Sequence, residues 1–167
     1  MKSKKILYFI TLLLLILIVI IFLVYQKGET KVSDIEILGS MNKIEFQKII
    51  TVQDETDLAH NFKELIDSTT VLLLTSNDSI EIKFEKNPPS EAQLYDYYIY
   101  KESGKNKYGN AQIRNLEINE NIYSFKIGTN SAELLESDLS KPKYRGFRLI
   151  CQWDNFKCEY LFVIRLS

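Results

Sequence analysis

An apolar run at residues 6–25 constrains this chain more than any other feature. It reads ILYFITLLLLILIVIIFLVY and contains no charged side chain. A helix of this length extends about 30 Å, which matches the hydrocarbon thickness of a lipid bilayer. The run is longer than the apolar core of a secretory signal peptide, and no small residues follow it as a cleavage site. The sequence therefore predicts an uncleaved signal-anchor, a transmembrane helix assigned to residues 6–26.

The basic residues that flank this run indicate its orientation. Three lysines lie within residues 1–5, whereas the two lysines of residues 27–31 are diluted by a glutamate. Because an excess of basic residues marks the cytoplasmic flank, we expect residues 1–5 to be a cytoplasmic tail. Residues 27–31 are then a tether, and residues 32–167 form one extracytoplasmic domain. The predicted location is the cell membrane, crossed once, with the lipid bilayer as the first partner.

Composition excludes one class of partner. Removing the three lysines of residues 1–5 from the 21 basic residues leaves 18, against 22 acidic residues. Both signs are interspersed, and nucleic acid is therefore not an expected partner. The one basic cluster comprises Lys141, Lys143, Arg145 and Arg148. We expect a solvated, charge-balanced face there; the alternative is a contact with anionic lipid headgroups or wall polymer.

Short runs rich in β-branched and aromatic residues dominate residues 32–167. Turn residues separate these runs, including Gly39 with Ser40 and the pair Pro88 and Pro89. The spacing predicts a hairpin in which two of the runs are joined across residues 76–78. The predicted strands cover residues 32–38, 46–52, 70–75, 79–85, 94–101, 111–118, 121–127, 146–153 and 156–166.

Two segments show helical spacing instead. Residues 54–68 place Leu58, Phe62 and Leu65 on one face and carry acidic residues in their first turn. Residues 131–139 begin with Ser131 as the expected N-cap and predict a two-turn helix. The predicted fold class is therefore α+β: an N-terminal transmembrane helix followed by one mostly antiparallel β-sheet domain with one or two short helices.

The two cysteines fall in the last pair of predicted strands. A two-residue turn at Asp154 and Asn155 would place Cys151 opposite Cys158 and bury the face that both occupy. Opposed residues in an antiparallel pair are close enough for a disulfide, and an extracytoplasmic compartment permits oxidation. We expect a structural Cys151–Cys158 disulfide. The alternative is a pair of reduced thiols packed as small apolar groups.

Catalytic and metal-binding patterns are absent from the sequence. The one histidine, His60, lies off the apolar stripe of its predicted helix, and neither cysteine has an adjacent base. Nucleophilic catalysis and a structural zinc site both require more such residues. We expect no catalytic residue, no metal and no cofactor, and a protein that is not an enzyme. The alternative is an envelope hydrolase whose carboxylates only the fold brings together.

Four tyrosines on one predicted strand are the candidate binding residues. Alternation sends Tyr95 and Tyr97 to one face of the strand and Tyr98 and Tyr100 to the other. Tyrosine tolerates partial exposure and offers both a flat ring and a hydroxyl, which suits contacts with peptides or sugars. The alternative is that these rings only fill a half-buried pleated surface.

The order of elements between residues 46 and 139 resembles a known group. A strand, an acidic-capped helix, a strand, the tyrosine strand and the strand at residues 121–127 with a short helix follow one another. This order is similar to that of small exported domains of unknown function found in lipoproteins of Gram-positive bacteria. The resemblance implies an address in the cell envelope and carries over no functional residue.

These observations predict a membrane-anchored extracytoplasmic binding or accessory domain of the cell envelope. Its expected partners are an envelope or membrane protein or a wall component, engaged through the sheet. The alternative is a small subunit of a membrane complex of the transporter, sensor or immunity type, which acts through its transmembrane helix. Replacing residues 6–25 with an unrelated apolar sequence separates the two, because only the second loses its activity.

Overall fold

Strands account for about half of the described residues between 34 and 167, as the alternating and β-branched runs of this sequence favour. The structure is a computed structural model that describes residues 15–17, 19, 34–50, 54–136, 142–154 and 156–167. Its helices are α1 (Glu55–Ser68) and a 3₁₀ helix (Ser131–Leu135). Its strands are β1 (Ile35–Gly39), β2 (Asn42–Lys43), β3 (Phe46–Ile49), β4 (Leu72–Leu74), β5 (Ser79–Phe84), β6 (Glu91–Ile99), β7 (Gln112–Arg114), β8 (Glu117–Asn119), β9 (Ile122–Lys126), β10 (Lys143–Trp153) and β11 (Phe156–Leu166).

The strands form two sheets that share one core. The five-stranded sheet has the order β2-β1-β5-β9-β8, and the six-stranded sheet has the order β3-β11-β10-β6-β7 with β4 also paired to β11. Every pairing is antiparallel except that of β4 with β11. Ile37 and Ile82 of the first sheet pack in the same buried cluster as Phe147 and Phe162 of the second. The architecture is a β-sandwich.

The fold class predicted from the sequence needs correction. The structure is mostly antiparallel β in two sheets, where one sheet was predicted. Among the described residues no helix is long and apolar enough to cross a membrane. The predicted tail, span and tether lie outside the described residues, apart from 15–17 and 19, which are helical. Residues 1–31 and 32–167 form separate units.

The predicted hairpin of β10 and β11 is confirmed. Cys151 lies opposite Cys158 and Trp153 opposite Phe156, in the register that a two-residue connection requires. The face that carries both cysteines is buried between the sheets. The hairpin is the longest pairing in the described chain, and it forms the centre of the six-stranded sheet.

The predicted hairpin of residues 70–75 and 79–85 is wrong. β4 pairs in parallel with the end of β11, whereas β5 pairs with β1 and β9 in the other sheet. The connecting residues do form a turn, in which the Asp78 carboxylate accepts hydrogen bonds from the Thr75 amide and from the Ser40 hydroxyl. Turn composition therefore located the reversal correctly, but this turn carries the chain from one sheet to the other.

The single strand predicted at residues 111–118 is likewise two strands in different sheets. β7 pairs with β6, and β8 pairs with β9. The second predicted helix is also shorter than expected. It is a 3₁₀ helix whose N-cap is Asn130, where Ser131 was predicted, and Glu133 completes a capping box with it. Residues 137–139 of the prediction lie outside the described residues.

The predicted helix at residues 54–68 is confirmed as α1. Asp54 is its N-cap, and one carboxylate oxygen accepts from the amides of Thr56 (2.7 Å) and Asp57 (2.9 Å). α1 covers part of the outer face of the six-stranded sheet, where Phe62 packs on β10. A Cβ atom at Gly146 would lie 2.8 Å from the Phe62 ring. The missing side chain of Gly146 is thus what lets this ring approach the sheet so closely.

Candidate functional site

The structure separates the four candidate tyrosines. Tyr95 and Tyr97 lie on the outer face of the six-stranded sheet and are half-buried. Tyr98 points inward and is 2% exposed, whereas Tyr100 lies just beyond β6 and is 45% exposed. Their proposed binding role stays a prediction. Of the four, Tyr97 lines a cleft.

This cleft lies between α1 and the outer face of the six-stranded sheet. Its volume is about 610 Å³, a size typical of small-molecule sites. The first turns of α1, from Asp54 to Ala59, form one wall, and the loop from Gly104 to Gly109 forms the other. Tyr97 and Arg148 line its sheet side. We call this space the α1 cleft.

Gly104 brings the two walls of the α1 cleft together. Its φ is +68°, and a Cβ atom placed on it would lie 2.1 Å from the carbonyl oxygen of Ala59 in α1. The left-handed backbone and the close approach both require glycine. The loop therefore lies directly against the helix, and its position is set by backbone contact.

The same loop is held on its other side by a charged and aromatic cluster. The Lys107 ammonium donates to Glu136 at 2.8 Å and lies 4.5 Å from the centroid of the Tyr98 ring. Tyr108 stacks on Tyr98 with their ring planes 8° apart. These contacts explain why Tyr98 is buried. Tyr98 holds the loop in place and is not part of the exposed surface.

Arg148 is held in place by a buried carboxylate. Its Nε and Nη2 atoms donate to the two oxygens of Glu159 at 2.7 and 3.0 Å, in the bidentate geometry that guanidinium favours. The Glu159 side chain is 0% exposed, and Lys157 Nζ lies 3.5 Å from its Oε1 atom. Glu159 fixes the Arg148 guanidinium, which is partly exposed. Arg148 therefore presents N–H donors in a fixed position at the edge of the cleft.

Tyr97 completes this group. Its ring packs on Phe62, with centroids 5.6 Å apart. Burial raises the pKa of the Tyr97 hydroxyl above its usual range, although a hydrogen bond with Arg148 acts in the opposite direction. The phenol is therefore protonated at neutral pH, and it offers a flat ring and a hydroxyl to the cleft.

A second polar cluster is buried at one end of the sandwich. Asp96 and Arg145 are both 0% exposed and joined by two hydrogen bonds, one of them from Arg145 Nε to Asp96 Oδ1 at 2.6 Å. Arg114 Nε donates to the other oxygen of Asp96 at 2.7 Å. Glu133 accepts from Arg145 and, at 3.0 Å, from Lys143. We call these five residues the buried ion network; it fastens the 3₁₀ helix to β6 and β10.

The basic cluster predicted from the sequence is therefore not a surface. Alternation along β10 turns Arg145 into the interior and Arg148 to the outer face, and both are paired with carboxylates. Lys143 also pairs with a carboxylate. The prediction of a solvated face is wrong for Arg145, and Lys141 lies outside the described residues.

The cysteines lie on the buried inner face of the β10–β11 hairpin. Cys151 and Cys158 are directly opposed, both 0% exposed, and free thiols in the structure. Burial raises the pKa of each thiol above its usual range, and for Cys151 the neighbouring Cys158 adds to this. A thiol held in this way is a poor nucleophile. The predicted disulfide stays a prediction.

The described residues contain no cluster of three or more histidine, cysteine or acidic side chains that could hold a metal ion. No protein-family model matches this chain, and no curated protein is similar to it in sequence.

Sequence reasoning identified one side chain of this cleft and missed the others. Tyr97 was a candidate because aromatic residues on an alternating strand are visible in the sequence. Arg148 belongs to the cluster for which the sequence predicts a solvated, charge-balanced face, and the sequence predicts no role for Gly104. The glycine spacing around residues 104–109 was the available signal, because glycine at positive φ often marks a close backbone approach.

Proposed function

We propose that this protein is a binding or accessory domain of the cell envelope and that the α1 cleft is its binding site. The observation that carries the proposal is the cleft itself. This concave site of about 610 Å³ combines the apolar side chains of Leu58, Ala59 and Phe62 with polar and charged groups along its rim, and ligand sites combine apolar surface with a few placed polar groups in this way. The buried pairing of Arg148 with Glu159 fixes one polar group before any ligand arrives, and such preorganisation favours binding.

The location at the outer side of a membrane is part of the proposal. Its support is the apolar sequence of residues 6–25 and the lysines that precede it. Protease added to intact cells is expected to digest residues 34–167. Full-length chain recovered as a freely dissolved species, or a domain untouched by external protease, contradicts this location.

A site-specific photocrosslinker tests the cleft. Thr56 lines the α1 cleft and is exposed, whereas Glu64 lies on the same helix, is also exposed and is outside the cleft. We expect benzoylphenylalanine at position 56 of the full chain to capture a cellular component in intact cells. The same group at position 64 is the matched control and is expected to capture none. Equal capture from both positions, or capture from position 64 alone, contradicts the assignment of the site.

A further inference from the structure

Resting on this proposed function, we propose that the ligand of the α1 cleft is a neutral saccharide, bound with a sugar ring against Tyr97 and its hydroxyl groups hydrogen-bonded to Arg148 and the rim. Three features of the cleft carry this assignment: its charge balance, its supported aromatic ring and the pairing of its backbone amides.

Charge is the first feature. The exposed charged side chains along the cleft are Asp54, Glu55 and Lys105. The positive charges of Arg148 and Lys157 both lie against the one buried carboxylate of Glu159. The first-turn amides of α1 do not form an anion site, because Asp54 already accepts two of their hydrogen bonds. An anionic ligand would meet the two carboxylates of Asp54 and Glu55 at this rim, against the one exposed ammonium, that of Lys105, among the described lining residues. A ligand without net charge avoids this repulsion.

The aromatic ring is the second feature. Tyr97 is backed by Phe62 on one side, and its orientation is fixed further by the hydrogen bond with Arg148. A rigid ring of this kind loses little conformational entropy when a ligand covers it. The C–H face of a pyranose is flat and apolar, whereas its rim is a circle of hydroxyl groups. Arg148, Asn106 and Asp54 line the same cleft, and their planar groups can donate hydrogen bonds to such hydroxyl groups or accept them.

The backbone around the cleft is the third feature, and it argues against an extended peptide. A peptide bound by strand addition needs free main-chain groups. In the loop wall several of these groups are already used, since the Lys105 carbonyl accepts from the Tyr100 amide, and the Gly104 and Lys107 amides donate to Tyr100 and Tyr98. The cleft therefore offers side-chain groups, which suit hydroxyl groups of a sugar.

Saturation-transfer NMR on the full chain in detergent tests the proposal. The probes are the neutral oligosaccharides cellotetraose, maltotetraose and N-acetylchitotetraose, with a tetragalacturonate as the anionic comparison and a basic tetrapeptide as the peptide comparison. We expect transfer to the ring protons of at least one neutral probe. We expect none to the galacturonate or the peptide.

Four variants locate the contact. Tyr97→Ala is expected to weaken the binding of the neutral probe about tenfold or more, because the stacking ring is lost. Tyr97→Phe keeps the ring and is expected to retain most of the binding. Thr56→Trp fills the cleft from an exposed position that carries little folding risk, and it is expected to abolish transfer. Glu64→Trp makes the same change outside the cleft and is expected to leave transfer unchanged.

The outcomes separate this inference from the proposed function. If no neutral probe gives transfer that Thr56→Trp removes, the saccharide assignment is overturned. If, in addition, the crosslinker at position 56 captures a protein, the cleft is a protein-binding site and the proposed function stands. If neither experiment gives a signal specific to position 56, both proposals fail together.

Discussion

Removing the Asp96 carboxylate tests whether the buried ion network is as the structure describes it. Asp96 accepts hydrogen bonds from Arg145 and Arg114, and both Asp96 and Arg145 are fully buried. Asp96→Ala leaves the Arg145 guanidinium in the interior with Glu133 as its remaining carboxylate partner. A buried charge that has lost its main partner is costly, because water cannot reach it.

The size of the effect follows from this burial. Breaking a buried pair costs about 3–5 kcal/mol, and the contact with Glu133 places this case near the lower end. A loss of about 3 kcal/mol corresponds to a fall in Tm of roughly 10 °C for a domain of this size. The matched control is Asp67→Ala. Asp67 pairs with Lys63 on the exposed face of α1, and a surface pair of this kind contributes about 0–1 kcal/mol.

Urea unfolding of the full chain, followed by Trp153 fluorescence and far-ultraviolet circular dichroism, measures both variants. We expect Asp96→Ala to lose about 2–3 kcal/mol more than Asp67→Ala. The double variant Asp96→Leu with Arg145→Leu is expected to regain part of the loss, because it leaves no unpaired buried charge. A difference between the two single variants of less than about 1 kcal/mol would refute the buried network.

Three further predictions concern other parts of the described chain. Gly104→Ala is expected to lower the free energy of unfolding by about 2 kcal/mol or more, because a side chain there combines positive φ with a clash against α1. The control is Gly109→Ala, which is also at positive φ but faces open space. It is expected to lose only about 1 kcal/mol in the same urea titration. Hydrogen bonds from the Thr75 backbone and the Ser40 hydroxyl lower the pKa of Asp78 below 3.8. The ionised Asp78 carboxylate therefore contributes its full stabilisation above the pKa of the unfolded chain, and this is lost as the pH falls through the lower pKa of the folded protein. The difference in unfolding free energy between the protein and Asp78→Ala should shrink below about pH 4. A constant difference down to pH 2 would contradict this. Cys151 and Cys158 are expected to resist alkylation at pH 8 in the folded protein because both are buried; two alkylated thiols after unfolding without reductant would exclude the disulfide, and rapid labelling of the folded chain would contradict their burial.

The elements that the sequence predicted correctly depend on local signals. The register of β10 and β11 follows from a two-residue connection, because the period of a strand fixes every later pair. The start of α1 follows from the Asp54 side chain and the apolar spacing behind it. In both cases the deciding residues lie within a few positions of one another.

The elements that it missed depend on contacts between distant parts of the chain. Asp96 and Arg145 are 49 residues apart, and nothing near either residue shows that the other neutralises it. The turn residues after β4 predict a hairpin with β5, but β4 pairs in parallel with the end of β11. Three leucines in a row suit either sheet, and only the return of the chain after α1 determines which one β4 joins.

The candidate site shows the same division. Tyr97 could be found because aromatic residues on an alternating strand are candidates in their own right. The role of Arg148 depends on Glu159, which pairs with it from the neighbouring strand β11. It also depends on α1, which closes the space above Arg148. The cleft is thus a property of the packing of α1 and the Gly104 loop on the sheet.

Hydrogen–deuterium exchange of the full chain, with and without the isolated cell envelope, tests the central claim that the α1 cleft binds an envelope component. We predict slower exchange in peptides that cover residues 54–62 and 104–109, which form the two walls, and unchanged exchange at residues 117–119 on the edge of the five-stranded sheet. Slower exchange at residues 117–119 with no change at either wall of the cleft would contradict the account.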